Sequence, residues 1–266
     1  MTNMTPKFIV IIPARYASTR FPAKALADMD GKPMVVRVAE SAMKSGADKV
    51  IVATDDARIG DALSEHQIDY VMTRSDHPTG TDRLAEVVDI LGLTDDQIVV
   101  NVQGDEPLIA PELIHAVAEE LAQKTECSLS TAAYPMTSAA SVFNPNAVKV
   151  TLDSQNRALY FSRAPIPWAR DHYAQQQNTP IEDKSLPEKA IILHHIGIYA
   201  YRAGFLKSYP QLEQCMIEEI ESLEQLRALW HGYKIAVHVT HSHPRPGVDR
   251  PEDLDIVMAY WRQRNT

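Results

Sequence analysis

The strongest constraint on the fold is a regular alternation of short apolar runs and amphipathic stretches in the first half of the chain. Continuous apolar runs are typical of strands covered on both faces, and the stretches between them have helical periodicity. The predicted strands are Phe8–Ile12, Val50–Thr54, Tyr70–Thr73 and Ile98–Val102, and the predicted helices are 33–46, 56–66, 81–91 and one that begins at Pro111. This alternation predicts βαβ units and a largely parallel, doubly wound α/β sheet.

The pattern changes after about residue 127, where apolar runs follow one another with little helix between them. These runs predict antiparallel strands at 128–134, 148–152, 158–161 and 196–201. A polar, proline-containing loop is predicted at 171–189, a long helix at 217–231, a strand at 234–240 and a last helix after Pro251. We therefore expect one domain over 1–266, with residues 128–215 as an integrated antiparallel subdomain.

Composition excludes several classes of protein. The formal net charge is −9, whereas nucleic acids and anionic membranes attract proteins with a positive field. No apolar run reaches the length of about 18 residues that a membrane helix needs, and the first residues lack the pattern of a signal peptide. The only cysteines, Cys127 and Cys215, are expected to be buried and unpaired in a reducing cytoplasm.

Three polar segments are expected at the carboxyl ends of strands, and they are the expected place for chemistry. They are Pro13–Lys24, Gln103–Asp105 and Gly247–Asp249. In open α/β sheets, ligands bind beyond the carboxyl ends of the strands. The first segment carries Arg15, Arg20 and Lys24, which would suit a triphosphate, although a solvated basic loop fits the spacing equally well.

Each of the other two segments ends in an aspartate: Asp105 directly follows Gly104, and Asp249 lies two residues after Gly247. Asp105 and Asp249 are plausible Mg²⁺ ligands, because Mg²⁺ takes one or two protein carboxylates and completes its shell with water and phosphate oxygens. Taken singly, each aspartate fits the cap of a helix N-terminus better than it fits a metal ligand. The pairs His194–His195 and His241/His243 lack the further ligands that a zinc site needs.

Motifs along nearly the whole chain resemble those of the 3-deoxy-manno-octulosonate (Kdo) cytidylyltransferase family. They are Ile11–Arg20, Gly31–Met34, Val52–Asp55, Asp76–His77, Gly80–Glu86, Val100–Pro107, Phe143–Lys149, Tyr160–Arg163, His195–Tyr199, Leu223–Arg227 and Gly247–Asp249. Ala23 and Ala25 depart from the family pattern, which has glycine and proline there. If the family glycine has a positive φ, alanine at 23 is expected to cost about 1 kcal/mol.

The resemblance implies a fold and a reaction. The fold is that of nucleotide-diphospho-sugar transferases, a Rossmann-like mixed sheet with an antiparallel dimerisation subdomain in a homodimer. The reaction couples CTP to Kdo, an eight-carbon ulosonic sugar acid, and gives pyrophosphate and CMP-Kdo for lipopolysaccharide synthesis in the cytoplasm. No nucleic acid or membrane partner is expected.

The resemblance also implies roles for individual residues. The catalytic residues are Arg15, Lys24, Asp105 and Asp249, with Mg²⁺ held by the two aspartates. The nucleotide-binding residues are Pro13, Ala14, Arg15, Lys24, Arg74, Gly80 and Gly104. The sugar-binding residues are Gln103, Arg163, His195, Tyr199 and Glu224.

Three alternatives remain open on the sequence. The sugar acid could be the 8-amino analogue of Kdo, or the enzyme could transfer uridylyl or thymidylyl groups to another sugar. A catalytically silent nucleotide-sugar-binding protein is the alternative outside enzymes. The altered residues 23 and 25 favour it, whereas the presence of both aspartates argues against it.

Overall fold

The computed structural model describes residues 6–17, 20–188 and 190–264, so Ser18, Thr19 and Lys189 lie outside the described residues. The chain divides into two compact units. The first contains the described residues of 1–123, 198–211 and 244–266, and the second contains those of 124–197 and 212–243. Among the described residues, nine strands form a mixed parallel and antiparallel sheet.

The elements follow one another along the chain. Up to residue 123 they are β1 (Phe8–Ala14), α1 (Met34–Ala42), β2 (Lys49–Thr54), α2 (Ala57–Glu65), β3 (Tyr70–Met72), α3 (Gly80–Ile90), β4 (Ile98–Asn101) and α4 (Pro111–Gln123). Beyond it they are β5 (Leu129–Pro135), α5 (Ala139–Phe143), β6 (Lys149–Leu152), β7 (Ala158–Ser162), α6 (Arg170–Gln175), β8 (Leu193–Arg202), α7 (Ala203–Ser208), α8 (Met216–Glu221), α9 (Gln225–Trp230), β9 (Ile235–Val239) and α10 (Pro251–Arg264).

The first unit is built on parallel strands, as the apolar runs predict. β1 pairs in parallel with both β2 and β4, and β2 pairs in parallel with β3. The last residues of β8 add an antiparallel strand along β4. Buried aliphatic residues fill β1, β2 and β4 because helices cover strands of this kind on both faces.

Local signals set the helix ends in the first unit. Pro33 precedes α1, and a 3-10 turn after α1 leads to Gly46 in the left-handed region, with a φ of 82°. The Asp56 carboxylate accepts from the backbone N–H of Arg58 at the start of α2, and the Thr79 hydroxyl caps α3. Side-chain caps satisfy backbone N–H groups that have no partner within the helix. The predicted helices of the first half are thereby confirmed to within a few residues.

The second unit corrects three expectations. β6 pairs antiparallel with β7 and β8, as predicted, but β5 pairs in parallel with β9. The segment 171–189 is not wholly a loop, because α6 begins at Arg170 and a 3-10 turn covers Ile181–Asp183. Buried Tyr173 anchors this segment through ring contacts with Phe143 and Trp168.

The predicted long helix at 217–231 is two short helices, α8 and α9. Ser222 lies between them with a φ of 49°, in the left-handed region that ends a helix. The backbone N–H of Leu223 donates to the carbonyl of Glu218, which closes the end of α8. A serine gives little local indication of this conformation, which is more often adopted by glycine or asparagine.

Candidate active site

Lys24 lies at the centre of the candidate site in the first unit. It opens the 3-10 turn Lys24–Leu26 in the loop that follows β1. Its ammonium nitrogen Nζ donates to Oδ2 of Asp105 at 2.6 Å and to the carbonyl of Val248 at 2.8 Å. The side chain is only 14% exposed, so this cation is partly desolvated and interacts strongly with its carboxylate partner.

Asp105 and Asp249 converge although they are far apart in sequence. Lys24 Nζ lies 2.6 Å from Oδ2 of Asp105 and 3.9 Å from Oδ1 of Asp249, so the two oxygens can be no farther apart than the sum of these distances. The turns that carry them pack closely, since the N–H of Val248 donates to the carbonyl of Asp105 at 2.8 Å. A Cβ atom at Gly247 would lie 3.0 Å from that same carbonyl oxygen, which explains the glycine.

Gly104 holds the turn after β4 against the end of β1. A Cβ atom at this position would lie 2.7 Å from the carbonyl oxygen of Pro13 and 3.7 Å from Cα of Ala14. Such a short carbon–oxygen distance is not compatible with normal packing. The glycine therefore allows Asp105 to sit directly beside the loop that carries Lys24.

The sequence analysis grouped Arg20 with the cations that would suit a triphosphate, but it did not predict that Arg20 contacts Asp249. Its Nη2 donates to Oδ1 of Asp249 at 3.0 Å, and its Nη1 donates to Oδ2 at 3.3 Å. The signal was present, because Arg20 is one of three cations in the loop after β1. At the start of α10, the Asp253 carboxylate accepts from the N–H groups of residues 249 and 250.

An apolar cluster lies beneath these charged groups in the first unit. Buried Val248 packs with Met29, Met34, Leu108 and Val257. Four partly buried residues pack against the same cluster: Phe21, in the loop that follows β1 (the first loop), and Leu254, Met258 and Trp261 of α10. The backbone next to Arg20 and the backbone next to Asp249 are thus held by shared hydrophobic contacts.

A cavity of about 270 Å³ opens beside the two aspartates. It is lined by Asp105, Glu106, Gly247, Val248, Asp249 and Asp253. Burial, and then the charge of Asp105, raise the pKa of Glu106 to about 7. Four carboxyl groups around one small space favour a cationic occupant.

The other proposed nucleotide residues of the first unit lie in two places. Pro13 and Ala14 end β1, and a Cβ atom at Gly80, the first residue of α3, would lie 3.9 Å from the Pro13 ring. Arg15 follows them with its side chain exposed. The Arg74 guanidinium forms an exposed ion pair with Asp76 at 2.9 Å.

Arg163, in the second unit, has its guanidinium directed at backbone carbonyls. Its Nε, Nη1 and Nη2 donate to the carbonyls of Glu221, Pro145 and Ser222 at 2.7, 3.1 and 3.3 Å. Its own carbonyl accepts from the buried Lys149 ammonium at 2.5 Å. The side chain is thus held in one orientation by the surrounding backbone.

The remaining sugar-site candidates have defined surroundings. In the second unit, His195 Nε2 lies 2.9 Å from the Thr131 hydroxyl, and Glu224 immediately precedes α9. Burial, and then His194, lower the pKa of His195 to about 3, so its ring is neutral at physiological pH. In the first unit, Tyr199 stacks on Tyr201 with ring centroids 5.7 Å apart, and Gln103 lies next to Gly104.

Comparison with known proteins identifies the family. The cytidylyltransferase family model matches residues 9–235. The chain belongs to the cytidylyltransferase family. This cytidylyltransferase is also similar to a solved structure of CMP:2-keto-3-deoxy-manno-octonic acid synthetase complexed with CTP, with 40% sequence identity and a TM-score of 0.85. The similarity covers 97% of this chain and 99% of the other, and it confirms the expected nucleotide-sugar-transferase-like fold.

Nucleotidyltransferases of this kind use a divalent metal, and the donor set of this cytidylyltransferase fits one. Among the described residues, no three His, Cys, Asp or Glu side chains are arranged to hold a metal ion. Two convergent carboxylates suffice for Mg²⁺, because water and phosphate oxygens complete its shell. Cys127 and Cys215 are both buried, as predicted, and neither forms a disulfide with another described residue. None of the helices described is long and apolar enough to span a membrane.

Proposed function

We propose that this cytidylyltransferase couples CTP to Kdo and releases pyrophosphate and CMP-Kdo. The observation that best supports this reaction is the convergence of Asp105 and Asp249 around the Lys24 ammonium. The choice of CTP and Kdo rests on the similarity to the CMP:2-keto-3-deoxy-manno-octonic acid synthetase over nearly the full length of both chains.

The reaction forms one bond and breaks one. The oxygen of the anomeric hydroxyl of the sugar attacks the α-phosphorus of CTP, the bond from that phosphorus to the pyrophosphate oxygen breaks, and the hydroxyl proton is released. Bound to Asp105 and Asp249, Mg²⁺ would supply charge neutralisation at the phosphates and greater acidity at the hydroxyl. Lys24 and Arg15 contribute positive charge toward the triphosphate, since phosphoryl transfer depends mainly on positioning and on stabilisation of charge.

The nucleotide side of the proposal rests on close packing in the first unit. Pro13, Gly80 and Gly104 bring the end of β1, the N-terminus of α3 and the turn after β4 together. Backbone N–H groups at such turns suit anionic phosphates. We assign Ala14 to this surface as well, and we propose that Arg74 exchanges Asp76 for the nucleotide.

The sugar side of the proposal needs a cation for the carboxylate and hydrogen-bonding groups for the hydroxyls. In the second unit, we propose Arg163 for the carboxylate, because its guanidinium forms a rigid planar fork. His195 and Glu224 are the proposed partners of hydroxyl groups there. Gln103 and Tyr199 are also proposed as sugar-binding residues.

The decisive experiment measures pyrophosphate release with each of the four nucleoside triphosphates, with Kdo and with its 8-amino analogue. We expect activity with CTP and Kdo, and loss of most of kcat in both Asp105→Asn and Asp249→Asn. Asp89→Asn, at an exposed position on α3, is the matched control and should keep full activity. If the enzyme prefers another nucleotide or the amino sugar, the proposed substrates are wrong. If it binds CTP without turnover, the protein is a catalytically silent nucleotide-sugar-binding protein instead.

We also propose that the enzyme is a cytoplasmic homodimer that associates through residues 128–215. Leu159, Trp168 and Ile191 are more than half exposed in this part of the second unit, more than apolar side chains of this size usually are. Light scattering should give about twice the chain mass of 29.7 kDa. Leu159→Arg should shift the protein toward the monomer, whereas Ile90→Arg, at an exposed apolar residue of the first unit, should not. A monomer at micromolar concentration in the unmodified protein would contradict the proposal.

A further inference from the structure

Both proposed metal-binding carboxylates are already paired with cations of the first loop. Arg20 contacts the two oxygens of Asp249 at 3.0 and 3.3 Å, and Lys24 contacts Oδ2 of Asp105 at 2.6 Å. The Lys24 side chain is largely buried, whereas Arg20 and Asp249 are 60% and 57% exposed. Water reaches the Arg20–Asp249 pair, so this pair can exchange partners more readily than the buried one.

A divalent cation and the Arg20 guanidinium compete for Asp249. Mg²⁺ binds carboxylate oxygens at about 2.0–2.1 Å and uses the lone pairs that a two-pronged guanidinium contact also uses. Two cations that share one carboxylate also repel each other. Arg20 bound to Asp249 is therefore expected to weaken the binding of a metal to this carboxylate.

The first loop is anchored on both sides of Arg20. The Arg58 guanidinium lies 3.4 Å from the centroid of the Tyr16 ring, and the N–H of Ala23 donates to the carbonyl of Tyr16. Phe21 packs into the apolar cluster next to Val248. Tyr16, Phe21 and Ala23 are thus held by contacts of their own, so we expect the exposed Arg20 side chain to change partner without a shift of these three residues.

We propose that Arg20 is a positioning residue that occupies Asp249 until the triphosphate of CTP draws it away, so that nucleotide and metal bind cooperatively. The inference rests on the proposed assignment of Asp249 to the metal. The guanidinium fork can bind a phosphate as well as a carboxylate, and the triphosphate presents more anionic oxygens and more negative charge than a single exposed carboxylate. By thermodynamic linkage, the metal favours nucleotide binding by the same factor by which the nucleotide favours the metal.

The test uses Arg20→Gln and two separate titrations without sugar acid, so that no turnover occurs. In the first, Mn²⁺ alone is titrated and followed by electron paramagnetic resonance. Exposed ion pairs are weak, and removing this one should tighten Mn²⁺ binding by about two- to fivefold. In the second, CTP is titrated in EDTA, and Arg20→Gln should weaken CTP binding by about tenfold, the effect of losing one charge-assisted contact.

Two further variants make the result specific. Arg262→Gln removes the same charge from a similarly exposed guanidinium, which pairs with Asp30 at 2.8 Å, and it should change neither titration. Arg20→Lys keeps the charge without the fork and should fall between the wild type and Arg20→Gln. A thermal melt of each variant establishes that it is folded.

The outcomes separate this inference from the proposed metal site. If Asp249→Asn weakens Mn²⁺ binding but Arg20→Gln leaves it unchanged, the role of Arg20 is wrong and the metal site stands. Equal effects of Arg20→Gln and Arg262→Gln would also overturn it, because they would reflect net charge alone. If Asp249→Asn leaves Mn²⁺ binding unchanged, the metal assignment is wrong and this inference falls with it.

Discussion

Replacing Gly104 with alanine should damage catalysis more than stability. The added Cβ atom would lie 2.7 Å from the carbonyl oxygen of Pro13, and ordinary carbon–oxygen contacts are about 3.3 Å or longer. The turn must therefore move by about 0.6 Å to relieve the contact. Because the obstacle is backbone, no side-chain rotation can relieve it instead.

The two effects can be estimated separately. Overpacking costs about 1–3 kcal/mol, and the lower chain entropy of alanine in the unfolded state returns about 0.4–1 kcal/mol. The net loss in the free energy of unfolding should be roughly 0.5–2 kcal/mol. Asp105 is the next residue, and misplacement of a catalytic group by about 1 Å can reduce the rate about a hundredfold, so we expect kcat to fall by about ten- to a hundredfold.

Urea denaturation and pyrophosphate release measure these quantities in the same preparation. Gly197→Ala is the matched control, because a Cβ atom there meets nothing within 4 Å. It should change the free energy of unfolding by no more than about 0.5 kcal/mol. Wild-type kcat in Gly104→Ala would refute the reasoning, since it would mean that close packing on Pro13 does not set the position of Asp105.

Three further predictions concern buried polar groups. Asp55→Asn removes the ionic partner of Arg83, which is 1% exposed and lies 2.8 Å from Asp55. Urea denaturation should show that the free energy of unfolding falls by about 3–5 kcal/mol. The control Asp171→Asn, which breaks an exposed pair, should lower it by only about 0.5 kcal/mol. Lys149→Met leaves three backbone carbonyls without their shared donor and should lower the free energy of unfolding by about 2–4 kcal/mol in the same assay; an unchanged midpoint would contradict this. The pKa of His195 is about 3 in the fold against 6.5 for an ordinary histidine, so the unfolded chain binds the extra proton as the pH falls below 6.5. Between pH 7 and pH 5 the wild type should lose about 2 kcal/mol more stability than His195→Gln, and equal losses would contradict the prediction.

Local signals in the sequence were enough to predict most of the first unit. Apolar runs located β1, β2 and β4, and the caps at Asp56 and Thr79 agree with the predicted helix starts. The parallel pairing of β5 with β9 was not predictable in this way, because periodicity shows which faces are buried but not which strands meet. The break at Ser222 was missed because both flanking segments have helical periodicity and no glycine or proline lies between them.

The site was predicted only in part, for a similar reason. No spacing rule connects Asp105 to Asp249, and their convergence was inferred from the Gly-containing turns that carry them, expected at strand ends, together with the family resemblance. The cost of alanine at residue 23 was stated only on the condition of a positive φ, and Ala23 has a φ of 58°, in the left-handed region where alanine is strained. Charge counting found three cations in the first loop, but it could not tell that Arg20 would be the one to reach Asp249, because that depends on how two distant turns pack.

The apolar cluster beneath the site has a consequence for its response to ionic strength. Salt screens exposed charges, so concentrated salt weakens the pairing of Arg20 with Asp249. The packing of Phe21 and Val248 into the common cluster does not depend on charge. Raising the ionic strength should therefore free the Asp249 carboxylate from Arg20, while the backbone at Phe21 and the backbone at Val248 stay in place. The strength of this ion pair can thus be varied with salt without unfolding the site around it.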